Sequence, residues 1–358
     1  MRATSKIFSS NLFARRFLSA LAGCALLLAG CAVPPALSIA SGKNPTASSA
    51  IEPGSFRAPD GTILPMRSWL PKDKPSALII ALHGFADYSE AFRMPADYWA
   101  SRGVAVFAFD QRGFGGAPHT FHWAGAATMA ADVKAFAALL RARYPGIPLY
   151  LLGESMGGAV AITATDEPKP ADVDGLILVS PAVWEHGVMG IIERSTLMLA
   201  DFAAPGLWLE APRGLGIHPT NNVAMLKSMA HDSLIQVGAR ADTTAGLMDL
   251  MDQAGAEVDR LRLPALVLFG AHEEVLPRAG VQGFLRRLPA ANVRVALYPD
   301  GYHMLLRDLH GALVWDDVLA WIGDRNADLP SGAECAAAAA LSPPCRDRRL
   351  DSLNPPRG

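Results

Sequence analysis

The chain has 358 residues, of which 51% are hydrophobic, and this is enough for one large domain or two ordinary ones with a sizeable core. Its formal net charge is −2 at pH 7, with no basic field of the kind that binds nucleic acid. We therefore expect a globular protein with no nucleic-acid partner.

The first 30 residues have the composition of a secretory signal. They carry four basic side chains and no acidic one, and an apolar segment follows over 17–29. This segment is too short to span a bilayer as a helix of the mature protein. It ends in Leu28-Ala29-Gly30-Cys31, which resembles the bacterial lipobox, where the cysteine becomes the first mature residue and receives the lipid. The pattern predicts a lipoprotein signal peptide over 1–30 and lipidation of Cys31; the alternative is a plain signal peptide with an incidental cysteine.

Lipidation of Cys31 would hold the protein at a membrane. Each buried methylene of an acyl chain contributes about 0.8 kcal/mol, so several chains on one residue give firm anchoring. Ala32, and not an aspartate, follows the cysteine, which favours sorting to the outer membrane in a host that has one. We expect an exported, lipid-anchored protein in which residues 31–52, rich in Ala, Ser, Pro and Gly, form a flexible tether.

Over 53–325, apolar runs alternate with segments of helical periodicity. This alternation is typical of a mostly parallel sheet covered by helices on both faces. One interval, 184–259, has no convincing strand but contains apolar helical pieces, and it is too long for an ordinary loop. The predicted strands are Met66–Leu70, Ala77–Leu82, Val104–Phe109, Leu149–Gly153, Gly175–Val179, Ala265–Phe269 and Val293–Tyr298.

Residues 326–358, with a run of alanines and several prolines, are predicted to form a disordered tail. Two of the four cysteines lie there, Cys335 and Cys345, because Cys24 leaves with the signal and Cys31 is lipidated. In an oxidising compartment the two could form a disulfide, and the sequence leaves this open.

A glycine-rich turn at Gly153–Gly157 has the pattern G-x-S-x-G. It joins the apolar run 147–152 to a segment of small residues that can begin a helix close to the sheet. A non-glycine residue in such a sharp turn is strained, and the flanking glycines leave the room that the turn needs. The hydroxyl then stands at the end of the sheet over a helix N-terminus, as in a nucleophile elbow. The turn predicts Ser155 as a catalytic nucleophile.

A serine hydroxyl needs a base to take its proton and an acid to orient that base. In chains with a nucleophile elbow the order is serine, acid, histidine, with each partner after a late strand. His303 follows the run 293–298 in a Gly-x-His turn, and Glu273 follows the run 265–269. We predict His303 as the general base and Glu273 as the acid, with the adjacent Glu274 as a competitor for the second role.

Two backbone N–H groups must also stabilise the negative charge that develops on the carbonyl oxygen. Met156, directly after the serine, is expected to supply one, and Phe85, in a His-Gly turn after an early strand, the other. His83 is expected to hold this turn by hydrogen bonds and to take no proton in the reaction. Asp110 and Arg112 are expected to be structural, fixing the loop beneath the site.

Four motifs occur in one order along the chain, namely His83–Asp87, Asp110–Gly115, Gly153–Gly158 and Gly301–His303. With them the chain resembles the α/β-hydrolase superfamily and, within it, the monoacylglycerol lipase and lysophospholipase group. The resemblance implies a mostly parallel, eight-stranded sheet flanked by helices, with a helical cap inserted after the sixth strand. The interval 184–259 has the position of that cap. Glu273 departs from the family pattern, which has aspartate at this place.

The resemblance implies a serine ester hydrolase that acts on monoacyl lipids, monoacylglycerol or lysophospholipid, through an acyl-enzyme. No cofactor is needed for this reaction, and no motif indicates a metal or nucleotide site. An acyltransferase or a prolyl-type peptidase would use the same triad, and a non-catalytic lipoprotein binding module is a further alternative. The acyl chain length, the head group and the oligomeric state stay open.

Overall fold

The computed structural model of the chain describes residues 48–166, 168–184, 190–210, 216–289 and 291–335. The predicted signal peptide, Cys31, most of the tether and the residues beyond 335, with Cys345, lie outside the described residues. The strands are β1 Ala50–Glu52, β2 Ser55–Arg57, β3 Ile63–Trp69, β4 Ala77–Leu82, β5 Val104–Phe109, β6 Leu149–Glu154, β7 Gly175–Val179, β8 Trp208–Leu209, β9 Ala239–Arg240, β10 Ala265–Gly270, β11 Val293–Tyr298 and β12 Glu334–Cys335. The helices are α1 Arg93–Ala100, α2 Ala126–Arg143, α3 Met156–Thr165, α4 Ile191–Ala203, α5 Val223–Ala230, α6 Ala241–Glu257, α7 Arg278–Arg287 and α8 Gly311–Gly323.

Ten of the described strands form one sheet in the order β1-β2-β3-β5-β4-β6-β7-β10-β11-β12. The six strands from β5 to β11 in this order pair in parallel, and the strands at both ends pair antiparallel. Every residue of β4, β5, β6, β7 and β10 is buried, which is why these strands are apolar runs without alternation. The carboxyl ends of the parallel strands meet at one edge, so the loops after β4, β6, β10 and β11 come together there.

All seven strands predicted from the sequence are present, and the α/β fold class is confirmed. Six agree with the structure to within one residue, and β3 begins three residues before the predicted start. Each buried parallel strand could be predicted independently of the others, because a run of apolar residues bounded by turn residues is sufficient to indicate a strand.

The eight-stranded sheet expected from the resemblance has two further edge strands. β1 lies inside the predicted tether and is already part of the sheet, so the folded domain begins before residue 53. β12 lies inside the predicted tail, where it pairs with β11, and Leu329 and Ala333 are buried ahead of it. The folded domain therefore extends beyond the predicted range 53–325 at both ends. Strands of two or three residues have no periodicity that a sequence could show.

The two faces of the sheet have separate hydrophobic cores. Phe56, Phe109 and Phe136 form an aromatic cluster on one face, with ring centroids 4.9 and 5.3 Å apart. On the other face Trp99 of α1 and Trp321 of α8 are fully buried. Helices thus cover both faces, and the edge with the strand carboxyl ends is where an insertion can cover a site.

The interval 184–259 follows β7, which is the sixth strand when the short edge strand β1 is not counted, as expected for a cap. Its described part contains α4, α5 and α6, and a two-residue ribbon, β8 with β9, which the expectation of a strandless interval missed. Leu250 and Ala254 of α6 are buried in the main core, so this helix connects the cap to the body. None of the described helices is long and apolar enough to cross a membrane.

Candidate active site

Ser155 lies between β6 and α3 with φ 52° and ψ −118°. This is a left-handed conformation that costs a non-glycine residue about 1–3 kcal/mol and persists only where the surroundings hold it. The Ser155 N–H donates to the carbonyl of Val179 at 3.0 Å, and the Ser155 carbonyl accepts from the N–H groups of Gly158 and Ala182, each at 2.9 Å. The neighbouring strand and helix therefore hold the strained turn in place.

The glycines of the G-x-S-x-G turn are required by close backbone packing. A Cβ atom on Gly157 would lie 2.0 Å from the carbonyl oxygen of Leu82, and one on Gly153 would lie 2.3 Å from the carbonyl oxygen of Gly157. No side chain fits at such distances. The turn is thus pressed against the end of β4, which brings Ser155 next to the loop that follows β4.

His303 and Glu273 form a buried pair at the carboxyl edge of the sheet. His303 Nδ1 lies 2.7 Å from Oε2 of Glu273, and each side chain is 7% exposed. The other carboxylate oxygen, Oε1, accepts the N–H groups of Val275 at 2.8 Å and Leu276 at 2.9 Å. These bonds hold the carboxylate in one orientation, and a carboxylate so placed fixes the tautomer and orientation of the imidazole.

Glu274, the competing acid, has a different partner. Its Oε2 atom accepts the N–H of His218 at 2.7 Å and lies 3.1 Å from Nδ1 of the same residue, while its side chain is 39% exposed. The backbone hydrogen bond from His218 lowers the pKa of Glu274. Of the two adjacent glutamates, the structure places Glu273 against His303 and Glu274 against the cap.

The backbone N–H groups of Phe85 and Met156 have no hydrogen-bond partner among the described residues. Both residues line the same cavity as Ser155. The loop after β4 passes close to the serine, since a Cβ atom on Gly84 would lie 3.3 Å from the Ser155 Cβ. Two free donors beside one hydroxyl are the arrangement that stabilises a developing oxyanion.

Ser155 and His303 line one cavity of about 540 Å³ at the carboxyl edge of the sheet. In the described residues no hydrogen bond joins the Ser155 hydroxyl to the His303 ring, and such catalytic contacts are often long until a substrate is bound. Much of the wall is apolar and comes from the cap and the loops beside it. These residues are Ala182, Trp184, Ile235, Leu247, Met248, Met251, Val275 and Leu276.

A family model described as serine aminopeptidase, S33, matches residues 73–310, which contain all of these site residues. The chain belongs to this α/β-hydrolase family. Ser155, Glu273 and His303 occur in the chain order that the family has for nucleophile, acid and base. They lie at the edge of the sheet where the family's fold places a site.

The hydrolase is similar to a monoacylglycerol lipase of Mycolicibacterium smegmatis, with 27% identity over 273 residues that cover 75% of this chain and 95% of the relative. It is similar to a monoglyceride lipase of Homo sapiens, with 26% identity over 283 residues, 75% of this chain and 89% of the relative. A solved monoacylglycerol lipase from Paleococcus ferrophilus has a TM-score of 0.62 at 20% identity and covers 72% of this chain and 98% of its own. That last likeness shows the shared fold alone.

His83 holds the loop after β4 in this hydrolase. It is fully buried, its Nε2 atom accepts the N–H of Gln111 at 2.9 Å, and its Nδ1 atom therefore donates to the Gly84 carbonyl at 2.8 Å. Burial lowers the pKa of His83, so the ring is neutral, as this pair of bonds requires. The prediction that His83 orients the turn by hydrogen bonds is confirmed.

Asp110 and Arg112 are structural, as predicted. Asp110 accepts the N–H groups of Ser89 at 3.0 Å and Gly116 at 2.9 Å, and it is 1% exposed. Arg112 is buried between Asp60, at 2.7 Å, and Asp132, at 2.6 Å. The turn after β5 is thus fixed to the hairpin before β3 and to helix α2.

The structure adds an ion cluster that sequence reasoning did not find. Arg307 lies 2.7 Å from Asp87 and 3.0 Å from Glu154, and all three side chains are buried. Arg307 and Glu154 are separated by 153 positions, so no local pattern indicates their contact. The sequence indicated only that charged residues occur within apolar motifs. Such residues need a partner of opposite charge when they are buried.

The described residues contain no group of three His, Cys, Asp or Glu side chains that could hold a metal ion. The cavity beside Ser155 contains carboxylates, but Asp87 and Glu154 are both engaged by Arg307. What the arrangement offers is a hydroxyl, an imidazole with a fixed carboxylate, and two backbone donors, which together suffice for acyl transfer.

Proposed function

We propose that this α/β-hydrolase, a carboxylic ester hydrolase, cleaves the esters of monoacyl lipids, monoacylglycerols or lysophospholipids. The observation that carries the proposal is the cavity of about 540 Å³, in which Ser155 and His303 face an apolar wall supplied largely by the cap. An apolar cavity with a few convergent polar groups is the usual form of a site for a small apolar ligand. An acyl chain has the chemistry of this wall, and its ester group would lie at the serine.

In the proposed mechanism Ser155 attacks the ester carbonyl while His303 takes its proton and delivers it to the leaving alcohol. Glu273 orients His303 and stabilises its charged form. The N–H groups of Phe85 and Met156 bind the oxyanion of the tetrahedral intermediate. Water then attacks the acyl-enzyme, with His303 again acting as base, and releases the fatty acid.

Two further observations support a lipid substrate. Two relatives with similarity along most of their length are named as a monoacylglycerol lipase and a monoglyceride lipase. The carboxylates and guanidinium near the serine are paired with each other, so the apolar wall provides most of the surface that is free to bind a ligand.

The test is a panel of esters of graded acyl length, comparing monoacylglycerols with lysophospholipids, on the wild-type protein and on Ser155→Ala. We expect hydrolysis of long monoacyl esters by the wild type and none by the variant, which should retain its fold by circular dichroism. A fluorophosphonate probe should label the wild type and not the variant. Activity confined to short, water-soluble esters would contradict the lipid assignment.

The description of the matched family as serine aminopeptidase is a specific reason to test peptides as well. The same panel should therefore contain aminoacyl and prolyl 4-nitroanilides, and competing alcohol acceptors should be added to detect acyl transfer. Turnover of anilides that exceeds turnover of monoacyl esters would favour the peptidase. Ester products in place of free fatty acid would favour the acyltransferase.

We also propose that Cys31 carries a lipid and that the mature protein is exported and anchored to a membrane, the outer one in a host that has it. The support is the sequence of residues 1–32, which lie outside the described residues. An anchor would hold the enzyme beside its substrates. Replacing Cys31 with serine should release the protein from the membrane fraction and abolish incorporation of a labelled fatty acid; a membrane-bound, unlabelled wild type would contradict this.

A further inference from the structure

Arg307 sits where three loops of the active site meet. It ends a short 3-10 helix, Leu305–Arg307, that follows the turn with His303, and its side chain is only 5% exposed. Of the two terminal nitrogens of its guanidinium, Nη1 lies 2.7 Å from Asp87 and Nη2 lies 3.0 Å from Glu154. Its backbone carbonyl accepts the side-chain amide of Asn222 in the cap at 3.0 Å.

The two carboxylates belong to the other two loops. Asp87 is two residues after Phe85, in the loop with the proposed oxyanion donor, and Ala86 between them has a positive φ of 65°. Glu154 is the last residue of β6 and directly precedes Ser155. One planar guanidinium therefore connects the loops that carry the base, an oxyanion donor and the nucleophile.

This cluster is a costly way to stabilise a fold. Burial raises the pKa of Glu154, and although burial opposes the charge on Arg307, the nearby Asp87 and Glu154 leave the pKa of Arg307 raised. Oε1 of Glu154 and Nε of Arg307 are buried without a hydrogen-bond partner among the described residues. Apolar side chains of similar volume often stabilise a core as well as a buried ion cluster does, so stability alone gives little reason for this one.

We propose that Arg307 is a positioning residue, which holds the oxyanion loop, the serine turn and the histidine turn in catalytic register through Asp87 and Glu154. The inference rests on the proposed ester hydrolysis. Arg307, Asp87 and Glu154 border the cavity, but each is nine-tenths or more buried and is paired within the cluster. We therefore expect them to act through the loops that they connect. The hydrogen bonds to the carbonyl oxygen become stronger as this atom becomes charged, so misplacing a donor slows turnover more than it weakens substrate binding.

The test compares the wild type with a neutral triple variant, Asp87→Asn, Glu154→Gln and Arg307→Met, which removes all three charges together and leaves none unpaired. We expect a folded protein whose kcat on a soluble 4-nitrophenyl ester falls at least about tenfold, with KM within about threefold of the wild type. Arg307→Lys, which keeps the charge but lacks the planar fork, should have an intermediate kcat.

The chain offers a matched control in Arg112, whose side chain is equally buried between two carboxylates. Among the described residues its hydrogen bonds go to Asp60, Thr62 and Asp132, and none goes to the three loops. The corresponding neutral variant, Asp60→Asn, Arg112→Met and Asp132→Asn, should keep kcat within about twofold even where its melting temperature changes. An equal loss of kcat in both neutral variants would show a general effect of removing buried charge and would overturn the inference.

Wild-type kcat in the triple variant of Asp87, Glu154 and Arg307 would also overturn the inference that Arg307 is a positioning residue. If that triple variant does not fold, Arg307→Lys decides, since wild-type kcat in the folded lysine variant contradicts positioning by the guanidinium fork. A wild-type protein without esterase activity would contradict the proposed function and this inference with it. An active wild type with a fully active cluster variant would contradict this inference alone.

Discussion

Oε2 of Glu273 lies 2.7 Å from Nδ1 of His303, and both side chains are almost fully buried. Glu274, the next residue, turns the other way and binds His218 near the surface. Two carboxylates that are chemically equivalent in the sequence thus have different surroundings, and this difference can be tested directly.

Glu273→Gln is expected to lower kcat/KM by roughly 100-fold or more, because the amide cannot stabilise the imidazolium and favours the wrong tautomer of the base. Glu274→Gln keeps the hydrogen bond from the His218 N–H and should stay within about twofold of the wild type. The measurement is the steady-state rate on a soluble ester. A larger loss in the Glu274 variant would assign the acid to Glu274.

Ser155→Gly and Ser155→Ala should both be inactive but should differ in stability. Glycine adopts the positive φ of this turn without strain, whereas alanine does not, so the glycine variant should be about 1 kcal/mol more stable than the alanine variant. Urea unfolding followed by circular dichroism measures the difference. Equal or reversed stabilities would show that the turn is not strained.

Gly157→Ala should destabilise the fold severely, by about 3 kcal/mol or more, because the added methyl would lie 2.0 Å from the Leu82 carbonyl oxygen. Gly323→Ala is the control, since a Cβ atom there meets no atom within 4 Å. Soluble yield and melting temperature are the readouts. A Gly157→Ala variant that melts with the wild type would mean that the elbow is not pressed against β4.

The loss of stability at acid pH should depend in part on Asp60. The hydrogen bond from Arg112 holds the pKa of this carboxyl well below its ordinary value of 3.8. The unfolded chain therefore takes up the proton at a higher pH than the folded chain does. The contribution is complete above the ordinary pKa and is lost as the pH falls through the lower, folded value.

Between pH 7 and pH 3 the wild type should thus lose more free energy of unfolding than Asp60→Asn does, by on the order of 1 kcal/mol. Asp73→Asn, at an exposed position, is the control and should follow the wild type. Urea titrations at the two pH values provide the comparison. The same pH dependence in all three proteins would show that the Asp60 pair does not contribute.

Met248→Trp should change the preference for acyl length. Met248 is half-buried on α6 and lines the cavity, so a larger side chain shortens the space for an acyl chain. We expect KM for long monoacyl esters to rise several-fold while short esters are unaffected, since about 0.8 kcal/mol is lost for each methylene that no longer fits. Asp249→Trp, exposed on the same helix, is the control; an unchanged length profile in Met248→Trp would place the chain elsewhere.

The parallel strands and the serine turn could be predicted from the sequence because their signals are local. Apolar runs bounded by turn residues indicated β4, β5 and β7 with the observed bounds. The turn around Ser155 could be predicted because its two glycines and serine follow an apolar run and precede a segment of small residues, which is the context of a nucleophile elbow. The edge strands β1 and β12 could not be predicted, because so few residues have no pattern and form strands only when a neighbour supplies the partner.

The sequence by itself determined the fold class and the position of the cap, and it predicted the order of nucleophile, acid and base. Only the tertiary structure decided which glutamate reaches His303, because neighbours on one loop differ in direction and not in chemistry. It alone also brought Arg307 to Asp87 and Glu154, since contacts between distant loops depend on how the sheet aligns the ends of its strands.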